Sequence, residues 1–372
     1  MKAGLYFHIP FCIRKCRYCS FNSIPYDKEL AQRYVSALLR EMDMRGMAEP
    51  SSVYIGGGTP TVLPAEGLRI VLDGVKEYFN PAAGTEITIE ANPGTLERID
   101  FPALKAIGVK RISLGAQSFN PKELLALGRI HGPGEITRAV NTLREAGIAN
   151  IGLDLIYSLP GQGLRQWEES IDEAVKLSPE HISMYDLSIE EGAEFYAMGK
   201  AGLITLPPEE AQVEMYLSAV KRLEEAGYGR YEISNFARPG YECAHNLNYW
   251  SAGDFIGFGA GAHSRAGARA ARNVSGVIEY IGRLENGENP CAAAEILTGM
   301  EREREFIMLG LRKRRGLSFE DFRAGFGADF MSKYGPAAMK MTDAGYMAIS
   351  PDGICLTMRG VLASNRVIME FF

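Results

Sequence analysis

The sequence predicts an α/β protein: a partial (β/α)6 barrel, then a connecting segment, then a small C-terminal α+β domain of winged-helix type. Three observations carry this. Short β-branched or aromatic runs alternate with amphipathic helical stretches up to about Tyr231, a stretch rich in Gly and Ala follows, and helical periodicity resumes near Leu297. The resulting divisions are 1–233, 234–296 and 297–372.

In chain order, the strand-like runs are GLYFHI, SVYI, EITIE, RISLGAQ, IGLDLIY and HISMYDL. Helical patterns over 28–44, 64–78, 96–107, 134–145 and 164–176 separate them, at spacings suited to right-handed crossovers. In such barrels the working residues sit in loops after the C-terminal ends of strands. The segment SAGDFIGFGAGAHSRAGARAARN has neither period and reads as a connection. After it come EREREFIMLGLRKRRG, SFEDFRAGFG, a longer helix, and two short strands near YMAIS and ICLT. The basic run from Lys313 to Arg315 reads as a solvated helix end.

Composition bounds the function. The chain has 372 residues, 46% hydrophobic and 23% charged, with a formal net charge of −6. It contains no long apolar run of transmembrane type and no signal peptide, so a cytoplasmic protein is expected. A negative charge balance without a basic block argues against nucleic acid, because phosphate binding needs clustered Lys and Arg.

Three of the six cysteines fall within eight residues, as Cys12, Cys16 and Cys19 in HIPFCIRKCRYCSF, whereas Cys243, Cys291 and Cys355 are isolated. Structural zinc needs four closed ligands, usually from two cysteine pairs, and no second pair lies nearby. Three thiolates instead suit three irons of a cubane, leaving the fourth iron open to a small molecule. Tyr18 and Phe21 either wall such a cluster or belong to the core.

Other polar positions fall at strand ends. Gly56-Gly57-Gly58-Thr59-Pro60 follows one strand, where glycines allow a ligand close to backbone with amides and a hydroxyl aimed at it. Glu90 ends EITIE and Gln117 ends RISLGAQ. Asp154 lies inside IGLDLIY, where a carboxylate needs a partner, either a structural hydrogen bond or a ligand. Arg129 is a surface helix-end residue or a carboxylate clamp.

From Tyr6 to about Ser264, and more loosely to its end, the chain resembles the HemN/HemW family of radical S-adenosylmethionine (SAM) proteins, which comprises oxygen-independent coproporphyrinogen III oxidases and heme chaperones. The resemblance implies a radical SAM core over 1–233 with a [4Fe-4S] cluster on Cys12, Cys16 and Cys19. It implies SAM contacts at Tyr6, at Gly57, Gly58 and Thr59 for the methionyl end, at Glu90 for the ribose, and at Gln117, Arg129 and Asp154.

Three features resemble the chaperone branch. Phe21 stands where the oxidase pattern continues with a cysteine, His131 follows Arg129 in LGRIH, and His245-Asn246-Leu247-Asn248-Tyr249-Trp250 matches a heme-associated motif. Ser158 departs from the glycine usual in that loop. Without the family, HNLNYW reads either as an iron-ligating imidazole with two aromatics to cover a porphyrin, or as a capping histidine in a core. The resemblance favours the first, with His245 as ligand, Tyr249 and Trp250 as cover, and Cys243 as a second ligand to test. The expected function is therefore a heme chaperone serving heme-accepting proteins at the membrane face. The alternative is an oxidase that decarboxylates coproporphyrinogen III with SAM.

Overall fold

A computed structural model describes residues 2–45 and 49–372. Six strands, β1 (Lys2–Ile9), β2 (Glu49–Gly57), β3 (Glu86–Ala91), β4 (Arg111–Gln117), β5 (Asn150–Tyr157) and β6 (His181–Asp186), run parallel in sequence order. Between them lie α1 (Lys28–Arg45), α2 (Ala65–Phe79), α3 (Phe101–Ile107), α4 (Pro133–Glu145) and α5 (Leu164–Lys176), and α6 (Glu209–Glu225) follows the last strand. This is the partial barrel that the alternation predicts. The helix expected over 96–107 starts later, because Asp100 caps Ala103 N at 3.0 Å with a proline at the first turn; the residues before it form a 3-10 turn, Pro93–Arg98.

The strands alternate sharply. Leu5, Phe7, Val53, Ile55, Ile87, Ile89, Ile112, Leu114, Ile151 and Leu153 are buried and form the core with the helices. The intervening positions carry Tyr6, Ser52, Tyr54, Thr88, Glu90, Arg111, Ser113, Asp154 and Ser183. Register sets these polar residues side by side, with Tyr6 opposite Tyr54, Tyr54 opposite Thr88, Glu90 opposite Ser113, and Asp154 opposite Ser183. Period-two alternation thus gives the barrel an apolar outside and a polar lumen.

The stretch 234–296, expected as a connection, adds five strands to the same sheet, which with one more just before it has twelve. After β7 (Gly229–Arg230), β8 (Asn235–Ala237) pairs antiparallel with β6, and β9 (Phe255–Phe258) pairs parallel with β1 on the other side. β10 (His263–Ala266), β11 (Arg269–Asn273) and β12 (Cys291–Ile296) continue outward. Their glycines conceal this in the sequence. Gly259, with φ 101°, lies where a Cβ would come within 2.5 Å of the Tyr34 hydroxyl, so the residue marks close packing and not a loop. Glu41 of α1 fixes the segment: it is fully buried and accepts bonds from Gly259 N (2.8 Å), Asn273 Nδ2 (2.8 Å), Tyr280 Oη (2.6 Å) and Arg45 Nη1 (2.9 Å).

The C-terminal part has the winged-helix order of three helices, Gly299–Gly310, Phe319–Phe326 and Phe330–Asp343, with a three-stranded sheet of Leu317–Ser318, Gly353–Leu356 and Met347–Ile349. The basic run before it is more than a solvated helix end. Lys313 pairs with Glu232 backbone to backbone in a single antiparallel β-bridge, its Nζ reaches Ser251 Oγ at 3.3 Å, and Arg314 N donates to Tyr231 O at 2.9 Å, docking this part on the barrel. Arg314 and Arg315 side chains are exposed as expected. Among the described residues no helix is long and apolar enough to cross a membrane.

Candidate functional site

The loop after β1 is held at both ends. Ile24 N donates to Pro10 O at 2.8 Å and Tyr26 N to Cys12 O at 2.9 Å, while its middle is pinned by Arg17 N to Leu127 O at 3.0 Å and Phe195 N to Arg17 O at 2.8 Å. Cys12, Cys16 and Cys19 are free thiols, each partly exposed at a cleft of 480 Å³ over the strand ends. Burial raises the Cys12 and Cys19 thiols above their ordinary range, partly offset at Cys12 by the Thr59 hydroxyl. Among the described residues no three His, Cys, Asp or Glu side chains converge on a single ion. A cubane, in which each thiolate holds its own iron, does not require that convergence.

The cleft also gathers Gly57, Gly58, Thr59, Glu90, Gln117, Arg129, Asp154 and Phe21. Phe21 is 66% exposed, an outer rim and not core. Gly57, with φ 112°, has no room for a side chain, since a Cβ would lie 2.5 Å from His8 Nδ1. The sequence leads one to expect free amides here, and the structure corrects this: Gly57 N donates to Glu90 Oε2 (3.0 Å), Gly58 N to Ile9 O (2.9 Å) and Thr59 N to Phe11 O (2.8 Å). An ammonium needs acceptors instead, which the loop's carbonyls and the Thr59 hydroxyl can supply; that hydroxyl is 3.6 Å from Cys12 Sγ.

Glu90 accepts from Tyr54 Oη at 2.8 Å as well as from Gly57 N. Burial, supported by Asp154, pushes its carboxyl up to about 7 against the pull of these donors and Arg111. Asp154 has the partners its position demands, Ser183 Oγ at 2.7 Å and Ser113 Oγ at 3.1 Å, yet burial still raises it. Arg129 is neither a surface residue nor fully paired. Nη1 lies 3.4 Å from Cys16 Sγ, Nη2 donates to Gly115 O, and buried Nε has no partner among the described residues. An orphan guanidinium donor at the cleft fits a carboxylate ligand. His131 holds the Arg129 loop through Asn92 Oδ1 (3.0 Å) and Ala116 O (3.2 Å), and burial lowers its pKa to about 4, so it positions the loop as a neutral ring.

Four expected residues lie elsewhere. Tyr6 does not line the cleft; its hydroxyl meets His8 Nδ1 at 3.0 Å, and His8 Nε2 reaches Asn22 O at 2.7 Å, tying the barrel lumen to the cysteine loop. His245, Tyr249 and Trp250 belong to α7 (Ala244–Trp250), a seven-residue helix under the opposite, N-terminal end of the barrel. It lies in the stretch expected as a connecting segment. His245 is 1% exposed, with Nδ1 2.8 Å from Ser52 Oγ and Nε2 3.1 Å from Tyr249 Oη, and burial lowers its pKa to about 3. Ser52 and Tyr249 hold the ring. Arg312 covers Trp250 at 5.7 Å, and Cys243 is wholly buried near Glu86, its thiol pushed up to about 11. Neither His245 nor Cys243 can reach an external iron while α7 is docked.

Sequence reading missed Tyr54, Ser113, Tyr185, Asp186 and Glu190, which also line the cleft. For Tyr54 and Ser113 the available signal was position: each is an inward alternate on a strand that ends in a site residue.

Comparison with known proteins follows the same division. The radical SAM superfamily pattern matches residues 6–174 and the HemN C-terminal domain pattern matches 297–363. A protein named heme chaperone HemW from Bacillus subtilis (strain 168) is 36% identical over 371 residues, 98% of each chain. Heme chaperone HemW from Lactococcus lactis subsp. lactis (strain IL1403) is 33% identical, covering 98% of this chain and 96% of its own. The protein of that name from Escherichia coli (strain K12) is 42% identical over 273 residues, 70% of each. Among solved structures, coproporphyrinogen III oxidase (HemN) from Escherichia coli, a radical SAM enzyme, matches with TM-score 0.85 at 25% identity, over 100% of this chain and 90% of its own.

Proposed function

Because the chain belongs to the HemN/HemW family of radical SAM proteins, on its heme-chaperone branch, we propose that it binds heme and passes it to heme-accepting proteins, with a [4Fe-4S] cluster and SAM in the cleft. The observation that carries this is end-to-end similarity, 36% over 98% of both chains, to a protein named as a heme chaperone. The oxidase reading rests on a shared fold at 25% identity. Phe21 in place of a further cysteine weighs against it. The acceptors are proposed to lie at the membrane face of the cytoplasm.

The three cysteines hold three irons, and the cluster when bound is a one-electron donor beside SAM. Thr59 and the Gly57-Gly58 carbonyls accept from the methionyl ammonium. Arg129 Nε donates to its carboxylate, Glu90 receives the ribose hydroxyls, and Gln117 and Asp154 complete the contacts. His245 is the heme ligand, which requires α7 to swing away from Ser52. A helix of seven residues, less than two full turns, has little stability of its own and is suited to that.

The test is a heme titration of the anaerobically reconstituted protein beside an incubation with coproporphyrinogen and SAM. The chaperone reading expects a saturable Soret band and no porphyrinogen conversion. Conversion to protoporphyrinogen with SAM cleavage would establish the oxidase.

A further inference from the structure

We infer that SAM in the cleft and heme at His245 oppose one another, and that strand β2 carries the coupling through Tyr54. This rests on the reading of His245 as the heme ligand and of Glu90 as a SAM contact.

β2 touches both places; β3 does so too, with Glu86 accepting from Ala244 N at 3.0 Å and Glu90 in the cleft, but the ring that meets both His245 and Glu90 is on β2. Ser52, near its start, bonds His245 Nδ1 at 2.8 Å. Two residues on, on the same face, Tyr54 stacks against the His245 ring at 5.1 Å with 25° between planes, and its hydroxyl donates to Glu90 at 2.8 Å. At its end Gly57 N donates to the other oxygen of Glu90 at 3.0 Å. Tyr6, opposite Tyr54 in register, closes the stack at 6.3 Å from Tyr54 and 6.5 Å from His245. The lumen is therefore a column of three rings with the ribose carboxylate above it and the heme-associated histidine below.

The element with two positions is α7, docked or released. Docked, it satisfies both nitrogens of His245 and covers the faces of Tyr54 and Tyr6. Released, it frees His245 Nδ1 from Ser52, while Tyr249 moves with the helix, and uncovers those rings. A ligand that engages Glu90 fixes the carboxylate, which fixes the Tyr54 hydroxyl that donates to it, and so holds the ring in the pose that receives His245. SAM thus favours the docked helix, and heme, which needs the released one, is disfavoured. By reciprocity heme weakens SAM by the same factor. Proximity in a column does not itself establish coupling, so the test measures the linkage directly.

Heme affinity is measured by Soret titration of the reconstituted protein with and without saturating SAM, and SAM affinity with and without heme. Both should weaken by about fivefold or more, by equal factors, within the usual range of such couplings. Tyr54→Phe keeps the stacked ring and removes the link to Glu90, so each ligand should still bind while the factor falls below about two. Ser52→Ala loosens the docked helix from the other end and should tighten heme by about fivefold, the worth of one hydrogen bond, with SAM affinity in the absence of heme unchanged. Heme affinity indifferent to SAM, or strengthened by it, overturns the inference, as does full coupling in Tyr54→Phe. Absence of any saturable heme binding in the wild type would instead overturn the reading on which it rests.

Discussion

Arg129 holds its Nη1 3.4 Å from the Sγ of Cys16, so a buried guanidinium at the cleft faces a thiol of the cysteine loop while its Nε, unpartnered among the described residues, remains for a ligand. The three loop cysteines should therefore be the whole protein ligand set. Replacing Cys12, Cys16 or Cys19 by Ala should abolish the broad iron–sulfur absorbance after reconstitution. The Cys243, Cys291 and Cys355 variants should retain it, and loss in any of these three would break the assignment.

Glu90 should control SAM affinity and its pH dependence. Charge-assisted bonds to both ribose hydroxyls are worth about 1.5–3 kcal/mol, so Glu90→Ala should weaken SAM about ten- to hundredfold with the cluster intact. The carboxyl of the free protein titrates near 7, raised by burial and Asp154 and lowered by Tyr54, Gly57 N and Arg111. SAM affinity should accordingly rise between pH 6 and 8 as the carboxylate forms, and Glu90→Gln should flatten the profile. Calorimetry showing a flat wild-type profile would remove this role.

Glu41 should be among the most costly residues to lose. Its carboxylate joins α1 to the segment that carries β9 and β11 through three accepted bonds, with a fourth from Arg45 of its own helix, and truncation would strand the three donors in the core. Glu41→Ala should destabilise the protein by about 3–5 kcal/mol in urea unfolding. A change below about 1 kcal/mol would mean the network is worth no more than an exposed pair.

Much of the cleft was legible because its residues are local signals. The cysteine spacing, the glycine loop, Glu90 and Gln117 all stand at strand ends, and the structure brings them to one cleft. What stayed hidden depends on pairing across the chain. Ser113 and Ser183 become partners of Asp154 only through register, and Tyr54 meets Glu90 only because β2 and β3 are neighbours. The histidine and aromatics of HNLNYW were visible, but their burial under the barrel is a tertiary property that no local pattern records. Gly259 and its neighbours read as a connection because close backbone packing and loops select the same residue.

Release of α7 should depend on pH. Burial holds His245 near 3 while α7 is docked, against an ordinary 6.5 once it is free. A depressed imidazole pKa means the docked form is fully favoured above pH 6.5 and loses about tenfold per unit as pH falls below it, until the pH nears 3. Hydrogen exchange of the 244–250 amides, corrected for intrinsic rates, should show protection falling with that slope between pH 6 and 5. The slope should vanish in His245→Gln. Protection independent of pH in the wild type would show that His245 stays buried in the open form.

The central claim is that the protein carries heme to other proteins, and transfer tests it most directly. The reconstituted, heme-loaded protein is mixed with a heme-free b-type cytochrome, the two are separated, and the Soret spectrum of each is recorded over time. The account predicts that the cytochrome acquires the heme faster than by release into solution, measured against a heme-scavenging control, and that His245→Ala fails to deliver it. Transfer no faster than free dissociation, with coproporphyrinogen decarboxylated and SAM consumed by the same preparation, would contradict it.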